Sequence, residues 1–237
     1  MRGGGEKVSV PDKSFITTRE DAMVMTKRWL QTRRNDHYYK KAKREDYRSR
    51  AAYKLKQIDS RFRILRRGAN VVDLGAAPGG WLQVAKEAVG PDGTVIGVDL
   101  DTIPSIEGVE TIRGDMRKSS TIDKLMERTG GGADAVISDM SPNISGSYHM
   151  DHARSVELVE IALSVAREIL RPGGNFIAKV FQGDMLMDLR KEIQLSFREV
   201  KLHSPKASRS SSSEIYIVAR DFKGSSDDES NPSSSRD

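Results

Sequence analysis

Short apolar runs rich in β-branched residues alternate with amphipathic stretches along most of this chain, and that alternation limits the folds open to it. The runs are 70–74, 94–100, 109–113, 135–139, 175–180 and 215–219, with 200–202 a weaker one. Helical periodicity fills the gaps over 81–89, 121–128, 152–170 and 185–197, and precedes the first strand over 48–62. In that first helix Ala52, Leu55, Ile58 and Phe62 recur at spacings of three and four. Pro172-Gly173-Gly174 is expected to stop the long helix and turn the chain into the next strand. Strands alternating with helices predict an α/β fold: a mostly parallel sheet with helices on both faces. Such sheets bind ligands at the carboxyl ends of their strands, so those ends are the places to look for chemistry.

The first strand runs into Asp73-Leu-Gly75-Ala-Ala-Pro78-Gly79-Gly80-Trp81, a glycine-rich turn at a helix start. Glycines let a ligand approach the backbone, and the helix N-terminus offers free N–H groups. The spacing is not that of G-x-G-x-x-G, and no Gly-Lys-Ser/Thr follows, so neither a dinucleotide-binding dehydrogenase nor a P-loop is indicated. The next strands deliver Asp99, then Asp115-Met116, then Asp139. Asp99 suits ribose hydroxyls, and Asp115 with Met116 an adenine amino group and ring face. Each aspartate alone is an ordinary turn former. Four in succession at one edge describe a pocket for an adenosine with a charged tail.

Charge adds a second constraint. The 237-residue chain carries +5 overall. From Lys27 to Arg67 sixteen Lys/Arg face four acids, a net +12 with the rest of the chain net acidic. Such a concentration reads as a phosphate-binding surface or as a solvated helical face. Tyr38, Tyr39, Tyr47 and Tyr53 among the basics favour RNA. Lysine within an apolar strand, as at Lys179, needs a partner because an unpaired buried charge is costly; Asp139 on the neighbouring strand is available. There is no cysteine, which excludes a disulfide framework, a Cys-ligated zinc site and a catalytic thiol, and suits a reducing cytoplasm. No apolar run approaches the roughly 18–20 residues of a membrane span, and residues 1–14 lack a signal peptide's apolar core.

Five blocks, in this order, resemble the FtsJ/RrmJ family of ribose 2′-O-methyltransferases: Arg48-Ser-Arg-Ala-Ala-Tyr-Lys54-Leu, Val72-Asp-Leu-Gly-Ala-Ala-Pro-Gly-Gly-Trp81, Ser138-Asp-Met-Ser-Pro-Asn143, Lys179-Val-Phe-Gln-Gly183 and Ser213-Glu-Ile-Tyr-Ile-Val-Ala219. The resemblance implies a Rossmann-like, seven-stranded S-adenosylmethionine-dependent methyltransferase sheet with an antiparallel last strand. It implies a Lys54–Asp139–Lys179–Glu214 tetrad and cofactor contacts at Gly75, Pro78, Gly79, Trp81, Asp99, Asp115, Met116 and Asp139. Lys179, as a neutral amine, is expected to take the proton of the 2′-hydroxyl; Lys54 and Glu214 position that hydroxyl.

The acceptor is then RNA, with a uridine of large-subunit ribosomal RNA favoured by the chain's compact size. A tRNA anticodon loop is the alternative target; cap methylation lacks an obvious cap-stacking segment, and a non-catalytic ribosome-assembly factor is disfavoured by the complete tetrad. Lys201, Lys206 and Arg209 are expected to join the basic segment on RNA phosphates. The domain reading is a flexible extension over 1–26, a methyltransferase domain over 27–222 with its RNA-binding segment at 27–67, and a disordered acidic Ser-rich tail over 223–237. A cytoplasmic monomer needing no metal is expected.

Overall fold

The structure, a computed structural model, describes residues 36–209 and 212–224. The expected extension over 1–26, the first nine residues of the basic segment and nearly all of the tail lie outside the described residues.

In chain order the elements are α1 (His37–Arg44), α2 (Ala52–Phe62), β1 (Asn70–Leu74), α3 (Gly80–Val89), β2 (Thr94–Asp99), β3 (Glu110–Arg113), α4 (Ser119–Arg128), β4 (Ala133–Ser138), α5 (Tyr148–Ile169), β5 (Leu170–Phe181), α6 (Leu186–Ser196), β6 (Phe197–His203) and β7 (Glu214–Phe222). One seven-stranded sheet has the order β3-β2-β1-β4-β5-β7-β6. Every pairing is parallel except those of β7, which runs antiparallel to both β5 and β6. The mostly parallel sheet and its antiparallel last strand are as expected.

The period of two along each strand sorts the core into two layers. Val71, Val95, Ile137, Ile177, Tyr216 and Val218 point toward α2 and α3. Val72, Ile96, Val136, Phe176, Ala178 and Ile217 point toward α4, α5 and α6. Central strands buried on both faces need apolar side chains at nearly every position, which is why these runs are continuous rather than alternating.

Three local expectations are corrected. The first helix begins at Ala52, not Arg48, because 48–51 form a turn that lays Arg48 and Ser49 against the glycine-rich loop. The long helix ends at Ile169, and Pro172-Gly-Gly lies inside β5. Ala133 pairs with Leu170 and Ala135 with Asn175, so the extra residues bulge out of the ladder, where a proline lacking its N–H is tolerated. Helix α1 was not foreseen; its signal is Asp36, whose side chain accepts the Tyr39 N–H at 3.1 Å as an N-cap.

Candidate active site

The sheet brings the four residues of the expected tetrad to one end of the strands in two ion pairs. Lys179 Nζ lies 3.2 Å from Asp139 Oδ1 and donates to the Asp139 carbonyl at 2.7 Å. Lys54 Nζ lies 2.6 Å from Glu214 Oε1, a charge contact rather than an aligned hydrogen bond. Both lysines are buried, so pairing is what makes their charge tolerable there. The register explains the convergence. Lys179 pairs with Tyr216 and Phe181 with Glu214, so Lys179, Tyr216 and Glu214 share the α2 face of the sheet, onto which α2 turns Lys54. Burial pushes the Glu214 carboxyl up, but Lys54, Ser208 and Lys179 together hold it below its usual value.

Tyr216 is a member of this cluster that sequence reasoning missed. It is fully buried, its hydroxyl donates to Asp139 Oδ1 at 2.7 Å, and its ring stacks on Trp81 with centroids 5.8 Å apart. Burial, then the carboxylates of Asp139 and Glu214, push its pKa well up, so it stays a donor. The signal was its position two residues after Glu214 on the same strand face.

Two cavities open beside the tetrad. The smaller, about 200 Å³, is lined by Ser49, Asp73, Gly75, Pro78, Gly80, Trp81 and Asp139 among others. Asp73 is almost wholly buried and its Oδ2 has no hydrogen-bond partner. Burial, then the charges of Asp139 and Asp99, raise its pKa well above the ordinary carboxylate range. An orphaned buried carboxylate beside a second one calls for a cation. The larger cavity, about 530 Å³, is lined by Leu100, Asp115, Met116, Met140, Pro142, Asn143 and Leu158 among others. Its apolar walls suit a flat ring. Met140 joins the two, since its Cγ occupies the space a Cβ on Gly75 would need. Gly75 also has φ +72°, so both sterics and backbone require glycine.

The expected cofactor contacts divide. Gly75, Pro78, Trp81 and Asp139 line the small cavity; Asp115 and Met116 line the large one. Asp115 also forks onto Arg117 (Nε to Oδ1 2.9 Å, Nη2 to Oδ2 2.7 Å), which lowers its pKa to about 2. Asp99 lines neither cavity. Its carboxylate instead accepts the N–H groups of Ala77 and Asp101, at 2.8 and 2.9 Å, and so shapes the glycine-rich loop. Gly79 has φ +105° and faces Arg48, which donates to the carbonyls of Pro78, Pro104 and Ser105. It forms the turn rather than a wall.

Among its described residues, the basic segment is spread over several faces. Arg48 holds loops, Arg50 pairs with Asp36 and donates to the Ala207 carbonyl, and Lys56 pairs with Glu87 at 3.0 Å. Arg66 and Arg67 line a cleft with Pro172 and Arg220 at the opposite end of the strands. Three of the interleaved tyrosines pack together: Tyr53 lies 5.5 Å from Tyr38 and 5.6 Å from Tyr47. Their hydroxyl partners are protein groups, Glu45 for Tyr53 and Glu87 for Tyr47. A cleft of about 630 Å³ does lie between α1, α2 and the end of β6, with His37, Lys41, Lys56, Arg61 and Lys206 on its walls. The loop carrying Lys206 also carries Ala207, whose N–H donates to Gln57 at 3.0 Å.

Comparison with known proteins agrees with this geometry. Residues 47–222 match the family described as FtsJ-like methyltransferase. The chain is 55% identical over 185 residues to ribosomal RNA large subunit methyltransferase E of Methanothrix thermoacetophila, covering 78% of this chain and 72% of that one. It is 54% identical over 190 residues to the protein of the same name from Halobacterium salinarum, covering 79% and 73%. Its structure is similar to that of a protein from Plasmodium falciparum described as a ribosomal RNA methyltransferase, with TM-score 0.68 and 29% identity over 75% of this chain and 100% of the other. The family match spans the glycine-rich loop, both ion pairs and all seven strands, and on that breadth the chain belongs to the FtsJ-like methyltransferase family.

Proposed function

We propose that this protein methylates a ribose 2′-hydroxyl of large-subunit ribosomal RNA, with S-adenosylmethionine as donor. The observation that carries the reading is the Lys179–Asp139 pair at the mouth of the acid-lined cavity, with Lys54–Glu214 beside it. The relatives' names supply the ribosomal target.

The residues fit the donor. Asp73, with its orphaned oxygen, and Asp139 would hold the cationic amino-acid end, while Met116 and Met140 would pack on the adenine. When bound, S-adenosylmethionine supplies an electrophilic methyl on a sulfonium.

The chain's own groups prepare the nucleophile. A ribose hydroxyl attacks only as its proton leaves, and Lys179, in the neutral form left once its own proton has gone to solvent, is placed to receive it. Asp139 holds Lys179 through its carbonyl and its carboxylate, which fixes the amine's direction. Tyr216 donates to the same carboxylate and keeps it from turning. Lys54, anchored by Glu214, offers its remaining N–H groups to the hydroxyl oxygen. Holding the hydroxyl in line removes most of the orientational part of the barrier. RNA phosphates would lie in the cleft between α1, α2 and the end of β6.

The test is transfer of radiolabelled methyl to large ribosomal subunits, free ribosomal RNA and total tRNA, comparing wild type with Lys179→Ala. Label in subunit or ribosomal RNA, resistant to alkaline cleavage and lost in the variant, is expected. Label in tRNA alone would replace the target. No label on any acceptor, with cofactor binding intact, would overturn the reading in favour of a binding protein.

A further inference from the structure

Among the described residues, most of the exposed large apolar side chains fall on two stretches that hydrogen bonds tie together. Seven large ones stand exposed among the described residues, and five of them are Ile144, Tyr148, Met150, Met185 and Met187. All five lie in two stretches: the run from the end of β4 into α5, and the turn from β5 into α6. The first stretch begins at Asp139, and the second follows Lys179 by a few residues. Single exposed apolar residues need no explanation, but a cluster at the mouth of a site does.

Tyr148 is the centre of this cluster, and it is held. The residue is 54% exposed, yet its hydroxyl donates to the Gln182 carbonyl at 2.6 Å and His149 packs edge-on at 5.7 Å. One turn along α5, the buried His152 accepts the Met185 N–H at Nε2 (3.1 Å), and its Nδ1 donates to the Phe181 carbonyl at 3.0 Å. The start of α5 and the β5–α6 turn are thus locked together with an aromatic face left open. A ring already fixed at its hydroxyl loses little freedom when something stacks on it. Thioethers beside it adapt to different flat partners.

We infer that Tyr148, flanked by Met185 and Met187, is the shelf on which the base of the methylated nucleotide stacks. This rests on the proposal that the acceptor is an RNA ribose. A 2′-hydroxyl delivered to Lys179 leaves its own base within one nucleotide's reach, and Gln182 lies three residues on, about 10 Å along an extended strand. Three tyrosines of the basic segment, Tyr38, Tyr47 and Tyr53, are committed to packing against one another. A base within a duplex has both faces covered by its neighbours. The shelf therefore selects an unpaired or extruded nucleotide.

The experiment uses the full chain in three forms: wild type, Tyr148→Phe and Tyr148→Ala. Each is titrated with two probes, a ten-nucleotide uridine oligoribonucleotide and an abasic ribose-phosphate ten-mer. Stacking on an aromatic is worth roughly 5- to 150-fold in affinity per base. Tyr148→Ala is expected to lose a factor in that range on the uridine probe and none on the abasic one. Tyr148→Phe keeps the ring and most of the affinity. Methyl transfer to ribosomal RNA is measured in parallel; KM for RNA rises in Tyr148→Ala while S-adenosylhomocysteine affinity stays at the wild-type value. Equal loss on both probes would overturn the shelf, because the ring would then serve the backbone or the fold. Unchanged affinity for both would overturn it too and leave the patch to a protein partner. Failure of wild type to methylate RNA strikes the function reading alone, since the probe comparison still decides where a base stacks.

Discussion

Lys179 and Tyr216 face each other across the β5–β7 ladder and both end on Asp139, the lysine at 3.2 Å and the tyrosine hydroxyl at 2.7 Å from the same oxygen. The lysine has a second hold on the Asp139 carbonyl at 2.7 Å that does not involve the tyrosine. Tyr216→Phe should therefore lower stability by about 1.5–3 kcal/mol, the loss of a buried hydrogen bond to a charged acceptor. Methyl transfer should stay within a few-fold of wild type. Lys179→Ala should lower the rate by about 10²–10⁴, the contribution of a general base, with cofactor affinity little changed. Denaturant unfolding and single-turnover transfer read the two effects separately. A Tyr216→Phe rate as low as that of Lys179→Ala would make the hydroxyl essential to the chemistry.

Asp73 should trade stability for binding. Its carboxyl is buried, unpartnered at Oδ2 and near two other carboxylates, so its ionised form is unfavourable without a counter-cation. A raised folded-state pKa means that its contribution to stability is fullest below the unfolded value of 3.8 and declines as pH rises through the folded value. Asp73→Asn is thus expected to raise the melting temperature near pH 7 by about 2–4 °C for each kcal/mol relieved. That gain should vanish as pH falls toward 3.8. S-adenosylmethionine affinity should fall at least about tenfold, since the variant cannot offer a charge-assisted hydrogen bond. Melting curves from pH 4 to 8 and calorimetric titration check both. A variant that melts higher and binds as tightly would remove Asp73 from the cofactor site.

Gly75→Ala should damage the cofactor site without touching the tetrad. The new methyl collides with Met140 Cγ, and φ +72° strains any residue with a Cβ. Strain of this kind costs about 1–3 kcal/mol. Met140, which lines the larger cavity, must then shift and change that cavity's shape. Cofactor KM should rise well before RNA affinity changes; the reverse order would mean that the cavities lie elsewhere.

Within the basic segment, neighbouring charges should behave differently. Lys41 and Lys206 stand on the wall of the open cleft, so Lys41→Glu with Lys206→Glu should weaken RNA binding and lower its salt slope by about one for each phosphate no longer held. Arg48 instead holds three loop carbonyls beside the glycine-rich turn. Arg48→Ala should weaken cofactor binding and leave the salt slope alone. Affinity measured across a range of salt concentrations separates the two. Equal slopes for wild type and the double variant would put the phosphates elsewhere.

The sequence by itself determined the layered α/β sheet, because a strand buried on both faces can only be written as a continuous apolar run, and those runs stand out at 70–74, 94–100 and 175–180. Lys179 and its partner Asp139 could be singled out from the residues, since a lysine within an apolar strand is conspicuous, whereas Lys54 and Glu214 joined them only through the family resemblance; the structure shows all four in two ion pairs. Tyr216 was hidden because a tyrosine in a strand looks like core until its hydroxyl is seen on Asp139. Loop bracing by Asp99 and Arg48 was hidden too: residue type and spacing do not show that the Asp99 carboxylate accepts the Ala77 and Asp101 N–H groups, and only the folded chain does. Side-chain exposure was likewise illegible. Tyr47 and Tyr53 stand among lysines and arginines yet are engaged in packing, while Tyr148 stands in an unremarkable helix start and opens to solvent. Composition and periodicity report which residues can be buried; which face each presents, and to whom, depends on contacts between elements far apart in the chain, and that the tertiary structure alone decided.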